Sequence, residues 1–165
     1  GEGGFARMTM EAVAREAGVG KPALYRRYGS KAELAVAAIA TMLAPMEQPD
    51  LGDTEAELRL LAEEGLPRDA EAYLALIGGL MAERDHHPEL IRAFRDALLN
   101  PRRAIVIDAV RRGQERGDLR DDIDPVMAVD MFAGQLLARA FAGADTGPAW
   151  RARSFDMWMA VLKQT

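Results

Sequence analysis

The sequence predicts an all-α fold organised as a small N-terminal domain on a larger helical body. Apolar residues recur at helical spacing in about nine segments, with Gly, Pro, Asn or Asp between them. No stretch suggests a strand, and there is no internal repeat or low-complexity tract. Charge marks the division. Residues 1–31 hold six Lys and Arg (Arg7, Arg15, Lys21, Arg26, Arg27, Lys31) against three acids (Glu2, Glu11, Glu16). The other 134 residues hold fifteen basic against twenty-three acidic ones, so the chain carries a net charge of −5.

Composition narrows the class. At 165 residues the chain can bury a sizeable core, and 49% hydrophobic with 28% charged residues suits a soluble globular protein. No apolar run reaches membrane-spanning length, and no basic start leads into an apolar signal region. Zero Cys excludes a disulfide framework and a thiolate zinc site. A cytoplasmic protein with no membrane partner is expected.

The first element starts at Thr9, a natural N-cap, with Glu11 in the first turn, where the helix dipole favours a negative charge. Val13, Ala14 and Ala17 share a narrow apolar face, and Gly18 supplies the positive φ that ends a helix. A second helix begins near Lys21 with Pro22 in its first turn, where a missing N–H costs little. Leu24 and Tyr28 face inward, and Lys21, Ala23, Arg26 and Arg27 face out. Gly29 closes that helix. Ser30 and Glu33 form a capping box for a third, expected to run to about Met46, with Pro45 and Pro49 at its end. The division at 46 gives domains 1–46 and 47–165.

In the body, Asp53 or Thr54 caps a helix to about Glu64, broken at Gly65-Leu66-Pro67. Ala70 to about Arg84 follows, with Gly78-Gly79 inside it at roughly 1 kcal/mol each against Ala. These glycines point to close packing or to a hinge beside a cavity. A loop at Asp85-His86-His87 leads to a helix from Pro88 to Leu99, stopped by Asn100-Pro101, and the next runs from Pro101 to about Arg116. Asp124-Pro125 opens a long helix to about Ala142, and Trp150–Lys163 is the last. The last two have apolar arcs wider than one packing partner requires. Phe132, Leu136, Leu137 and Phe141 on one, with Phe155, Trp158, Met159 and Leu162 on the other, are expected to pair with their symmetry mates in a homodimer.

Gly4-Phe5, Met8-Thr9, Val13-Ala14, Ala17-Gly18-Val19, Leu24-Tyr25, Tyr28 and Ser30-Lys31-Glu33-Leu34 together resemble the DNA-binding signature of TetR-family transcriptional regulators. The resemblance implies an N-terminal helix-turn-helix head and a C-terminal ligand-binding and dimerisation body. In that family a helix precedes the equivalent of Gly4-Phe5, and here that first helix is expected to be missing, because the sequence begins at Gly1. The double-stranded DNA partner would be a palindromic operator, met by Thr9, Gly20, Lys21, Pro22, Ala23, Tyr25, Arg26, Tyr28 and Lys31. Gly20 stands where the family often has Ser or Thr, losing a possible cap and phosphate contact. Arg26 is the candidate for reading guanine edges, since its fork suits O6 and N7. The basic head on an acidic body agrees with a phosphate-seeking end. A small hydrophobic inducer would be held among Tyr73, Leu74, Ile77, Met81, Phe94, Leu98, Ile105, Met127 and Met131. The motif Arg-Arg-Gly-x-x-Arg-Gly-Asp-Leu-Arg at 111–120 vaguely resembles a recurring regulatory domain of the family.

Other chemistries find little support. His86 and His87, as neighbours, point about 100° apart on a helix and cannot share one metal from its face. Glu83-x-x-His86 has half the spacing of a di-iron site, but no further His completes it. There is no Gly-x-Ser-x-Gly, no phosphate-cradling loop and no His-Glu-x-x-His. The sequence thus predicts no enzyme, metal or cofactor. A dimeric helical adaptor without functional DNA binding is the alternative.

Overall fold

The structure, a computed structural model, describes residue 5, residues 8–65 and residues 70–163. Gly4 of the signature and the break at Leu66-Pro67 lie outside the described residues. Nine bounded α-helices are present among the described residues: α1 Met10–Glu16, α2 Lys21–Arg27, α3 Lys31–Ala40, α4 Thr54–Glu64, α5 Ala70–Ala82, α6 Pro88–Phe94, α7 Asn100–Glu115, α8 Pro125–Phe141 and α9 Pro148–Leu162. No strand occurs among them, only an isolated antiparallel bridge between Leu119 and Lys163.

Contacts divide the chain into two compact units, Gly1–Met42 with Ala75–Asn100 and Leu43–Leu74 with Pro101–Thr165. The first unit therefore includes a stretch that a sequential division at 46 places in the body. The physical reason is α3, whose buried face packs on α6 and the segment after it.

In the first unit, α1 and α2 close on a small core of Met10, Ala14, Leu24 and Leu34, with Met8, Val13 and Tyr28 against it. Ala17, expected on that face, is exposed. It is the C-cap, where the backbone turns off the helical row, and Met10 supplies the contact one turn before Ala14. Gly18 has φ +66°, and the N–H groups of Gly18 and Val19 return to the carbonyls of Arg15 and Ala14. That pairing satisfies the end of α1 and needs a residue that tolerates positive φ.

Ser30 Oγ accepts from Glu33 N at 3.1 Å. The Glu33 carboxylate reaches back to Gly29 N at 2.9 Å, one residue earlier than in the standard box. Gly29 does not close α2. The chain leaves through Tyr28, extended at φ −132°.

Two helix boundaries differ from expectation. α3 stops at Ala40, because the Thr41 hydroxyl and N–H both bond the Ala38 carbonyl, at 2.7 and 3.2 Å. Pro45 then disfavours a helical Ala44 and supplies no donor. Conversely, Asn100-Pro101 stops nothing. α6 runs through a π-helical stretch, Arg95–Leu99, into α7, and Asn100 N–H bonds Arg95 O five residues back. A π stretch already skips one carbonyl, so the donor that Pro101 lacks is not missed.

The second unit packs α4, α7, α8 and α9 around Leu58, Leu61, Val110, Leu119, Val129, Phe155, Trp158, Met159 and Leu162. The Trp158 indole donates to Ala128 O at 2.8 Å, bolting α9 to α8. Its ring lies 4.7 Å from Phe132 and 5.9 Å from Phe155. Within this core sits Glu57, with no exposed surface. Arg112 donates to it at 2.7 Å and Arg116 at 3.1 Å, and the N–H groups of Leu51 and Gly52 donate to it at 3.1 and 3.2 Å. Burial pushes the Glu57 pKa up, but the Arg112 and Arg116 bonds outweigh it and hold the carboxyl below its ordinary value.

Gly113 lies where α7 meets α4. A Cβ there would collide with the Thr54 methyl and stand 2.8 Å from Leu119 Cδ1. Gly113→Ala should therefore destabilise by about 1–3 kcal/mol, overpacking outweighing the better helix propensity of Ala. Urea unfolding that shows the variant as stable as the wild type would overturn this. Gly78 and Gly79 are different. A Cβ on either meets nothing within 4 Å, so close packing is not their reason.

Candidate nucleic-acid interface

α2 buries one residue, Leu24, and shows Lys21, Pro22, Ala23, Tyr25, Arg26 and Arg27. Leu24 is the pin. It seats the helix on Ala14 and Leu34 and thereby turns every other side chain before Tyr28 outward. Arg26 makes no hydrogen bond or ion pair among the described residues, so its guanidinium fork is available. Lys21 is engaged with Glu11 of α1, which raises the Lys21 pKa and lowers that of Glu11, and both side chains are about half exposed. In water such a pair is weak and exchangeable.

Lys21 Nζ also lies 5.8 Å from the centre of the Tyr25 ring, and Arg27 lies 5.5 Å from that of Tyr28. Tyr28 is half-buried, its ring against the head core. Thr9 Oγ1 accepts from Ala12 N at 3.1 Å, which leaves its hydrogen as a donor. Gly20 caps α2 by backbone alone, its carbonyl accepting from Ala23 N at 2.9 Å. Lys31, in the first turn of α3, stands 4.2 Å over the Phe5 ring, whose edge meets His87 at 4.9 Å. His87 Nδ1 pairs with Glu89 at 3.0 Å. The histidine pair thus includes a packing residue, where the sequence suggested a solvated loop. Among the described residues no group of three His, Asp or Glu could hold a metal ion.

The residues expected to hold an inducer fall in both units. Ile77, Met81, Phe94 and Leu98 belong to the first, and Tyr73, Leu74, Ile105, Met127 and Met131 to the second. Phe94 is buried and Tyr73 half-buried, whereas Met81, Met127 and Met131 are exposed. Of the residues expected at a dimer interface, Phe155, Trp158, Met159 and Leu162 are already covered within the chain. Phe132, Leu136 and Leu137 are half-buried, and Phe141 is 80% exposed. A different row on α8 is open: Met127, Met131, Gly134, Ala138 and Phe141, spaced four, three, four and three. The sequence analysis places Phe141 at the interface. It does not join Phe141 to Met127 and Met131, because the apolar residues of α8 cover two faces and periodicity does not say which one the protomer uses. No described helix is long and apolar enough to cross a membrane.

A helix of exposed basic and aromatic residues, braced by a second helix and joined to a helical body, defines a helix-turn-helix DNA-binding protein. Residues 1–38 match the family of bacterial regulatory proteins of tetR type, and residues 48–157 match the tetracyclin repressor-like C-terminal domain. The chain belongs to the TetR family of DNA-binding transcriptional regulators, and it is not an enzyme. It is 29% identical over 161 residues to the DNA-binding transcriptional repressor TetR of Mycobacteroides abscessus, covering 96% of this chain and 85% of that one. It is 26% identical over 140 residues to an HTH-type transcriptional regulator of Mycobacterium tuberculosis, covering 84% and 69%. Among solved structures it resembles the TetR family transcription regulator SCO0332, with TM-score 0.69 and 25% identity over 97% of this chain and 90% of that one. The flavonoid-responsive regulator FrrA shares the fold at TM-score 0.66 and 20% identity, covering 98% and 90%.

Proposed function

We propose that this chain is a homodimeric, cytoplasmic repressor that binds a palindromic operator and is released by a small hydrophobic inducer. The observation that carries the DNA contact is α2, with Leu24 its one buried residue and Arg26 unpartnered among the described residues. Lys21, Ala23, Tyr25 and Arg26 face the major groove, with Gly20 and Pro22 setting the helix entry. Thr9, Tyr28 and Lys31 reach phosphates, which position the head without reading sequence. The open row on α8, with Met157 and Val161 also exposed on α9, supports dimerisation. Two heads must stand about 34–36 Å apart to enter successive major grooves. An inducer that prefers a body shape incompatible with that spacing releases DNA, by no more than its difference in affinity for the two shapes. Repression is supported by the named repressor among the relatives, and a hydrophobic inducer by the apolar character of Tyr73, Leu74 and Ile105, which lie in the second unit.

The test is titration of the full-length protein with a fluorescent library of palindromic DNA at several salt concentrations. Selective binding whose log K falls linearly with log salt establishes the reading and yields the operator. A folded dimer that binds no DNA selectively overturns it in favour of an adaptor. On the selected operator, Arg26→Ala should cost about 1–3 kcal/mol and relax preference at one base pair. Equal losses on operator and random DNA would make Arg26 a phosphate contact instead.

A further inference from the structure

The chain passes between its two units three times, at 42/43, 74/75 and 100/101. On the second-unit side, the residue second from each passage is Ala44, Tyr73 and Arg102. Two of these, Ala44 and Arg102, are joined by the Arg102 guanidinium. Arg102 is half-buried and donates from Nη1 to Ala44 O at 2.8 Å and from Nη2 to Glu64 O at 3.0 Å. Its charge also acts on the Tyr73 phenol, opposing the rise that burial gives that group. Glu64 is the last residue of α4, so its carbonyl lies at the negative end of that helix and suits a cation. Arg102 makes no ion pair among the described residues, and both of its hydrogen bonds go to backbone. The planar fork fixes the separation of the two carbonyls it bonds, which a lysine ammonium does not.

We propose that Arg102 is a positioning residue that ties the chain passages at 42/43 and 100/101 to the end of α4 in one anchorage. A rearrangement at the end of α4 then reaches both passages together. The anchorage stands on its own hydrogen bonds, and only its effect on DNA rests on the function proposed above.

The test compares full-length wild type with Arg102→Met, which keeps much of the side-chain length but loses the donors. Hydrogen–deuterium exchange should quicken at residues 43–46 and in the last turn of α4, while α8 and α9 keep their protection. Operator affinity should fall about tenfold, because a smaller fraction of molecules holds the competent head geometry. Arg102→Lys should fall between the two. Gly113→Ala, which loosens the same unit away from the passages, should leave operator affinity unchanged. Unaltered exchange at 43–46, or equal loss of affinity in Arg102→Met and Gly113→Ala, would overturn the proposal. If the wild type itself binds no operator, the DNA-binding reading fails separately and the exchange pattern still decides the role of Arg102.

Discussion

Glu57→Ala is expected to destabilise the second unit by about 3–5 kcal/mol, enough to unfold much of a marginally stable domain. The cost does not come from losing an attractive pair. It comes from what stays behind, two arginines turned toward a core that no longer holds a negative charge, and the N–H groups of Leu51 and Gly52 without their acceptor. Among the described residues Arg112 already keeps one buried nitrogen, Nη1, without a partner, so it has no reserve of bonds there to fall back on. Glu57→Gln should cost less, since its amide oxygen still accepts. The same carboxyl sets an acid limit. Its folded-state pKa lies below the unfolded value, so its contribution is complete above the unfolded value and is lost as pH falls through the folded one. Denaturation midpoints measured from neutral pH into the acid range should fall for wild type, and fall less steeply for Glu57→Gln. Parallel curves would remove Glu57 from the account.

Met131→Glu should act on assembly and leave the protomer folded. Met131 is the second of five residues in the open α8 row and is 48% exposed within the protomer, so the protomer tolerates a charge there within about 0.5 kcal/mol. Across a two-fold interface the same change buries two like charges close together, which costs several kcal/mol. Sedimentation should then show monomers at micromolar concentration, with operator affinity reduced by about 100-fold or more as the two heads lose their linkage. A variant that stays dimeric would move the interface off α8.

The head was legible in the sequence because its signals are local. Thr9, Gly18, Gly20-Pro22 and Ser30 each act on a backbone group within five residues, and all four stand where expected. The errors lie where a distant or unusual bond decides. Asn100-Pro101 reads as a stop unless the preceding turn is known to be π-helical. The end of α3 depends on a threonine hydroxyl outbidding the next turn. Glu57 carries a weak signal, an acid at helical spacing from Leu61 and two arginines four apart in the 111–120 motif, but Glu55, Glu63 and Glu64 on the same helix hide which acid is buried. Arg102 carried none, because its partners are backbone carbonyls that any sequence would present.

The passage of the chain back into the first unit at residues 75–100 bears on how such regulators can be recombined. A head cut away near residue 46 would leave behind the helix that α3 packs on and lay bare the apolar side of α3. Grafting this head onto another body by a single crossover in the gene would produce the same exposed surface. A chimera that keeps α3 covered has to carry residues 75–100 as a second insert, so the integrity of a grafted head is tied to a part of the chain that falls, in linear order, inside the C-terminal domain match.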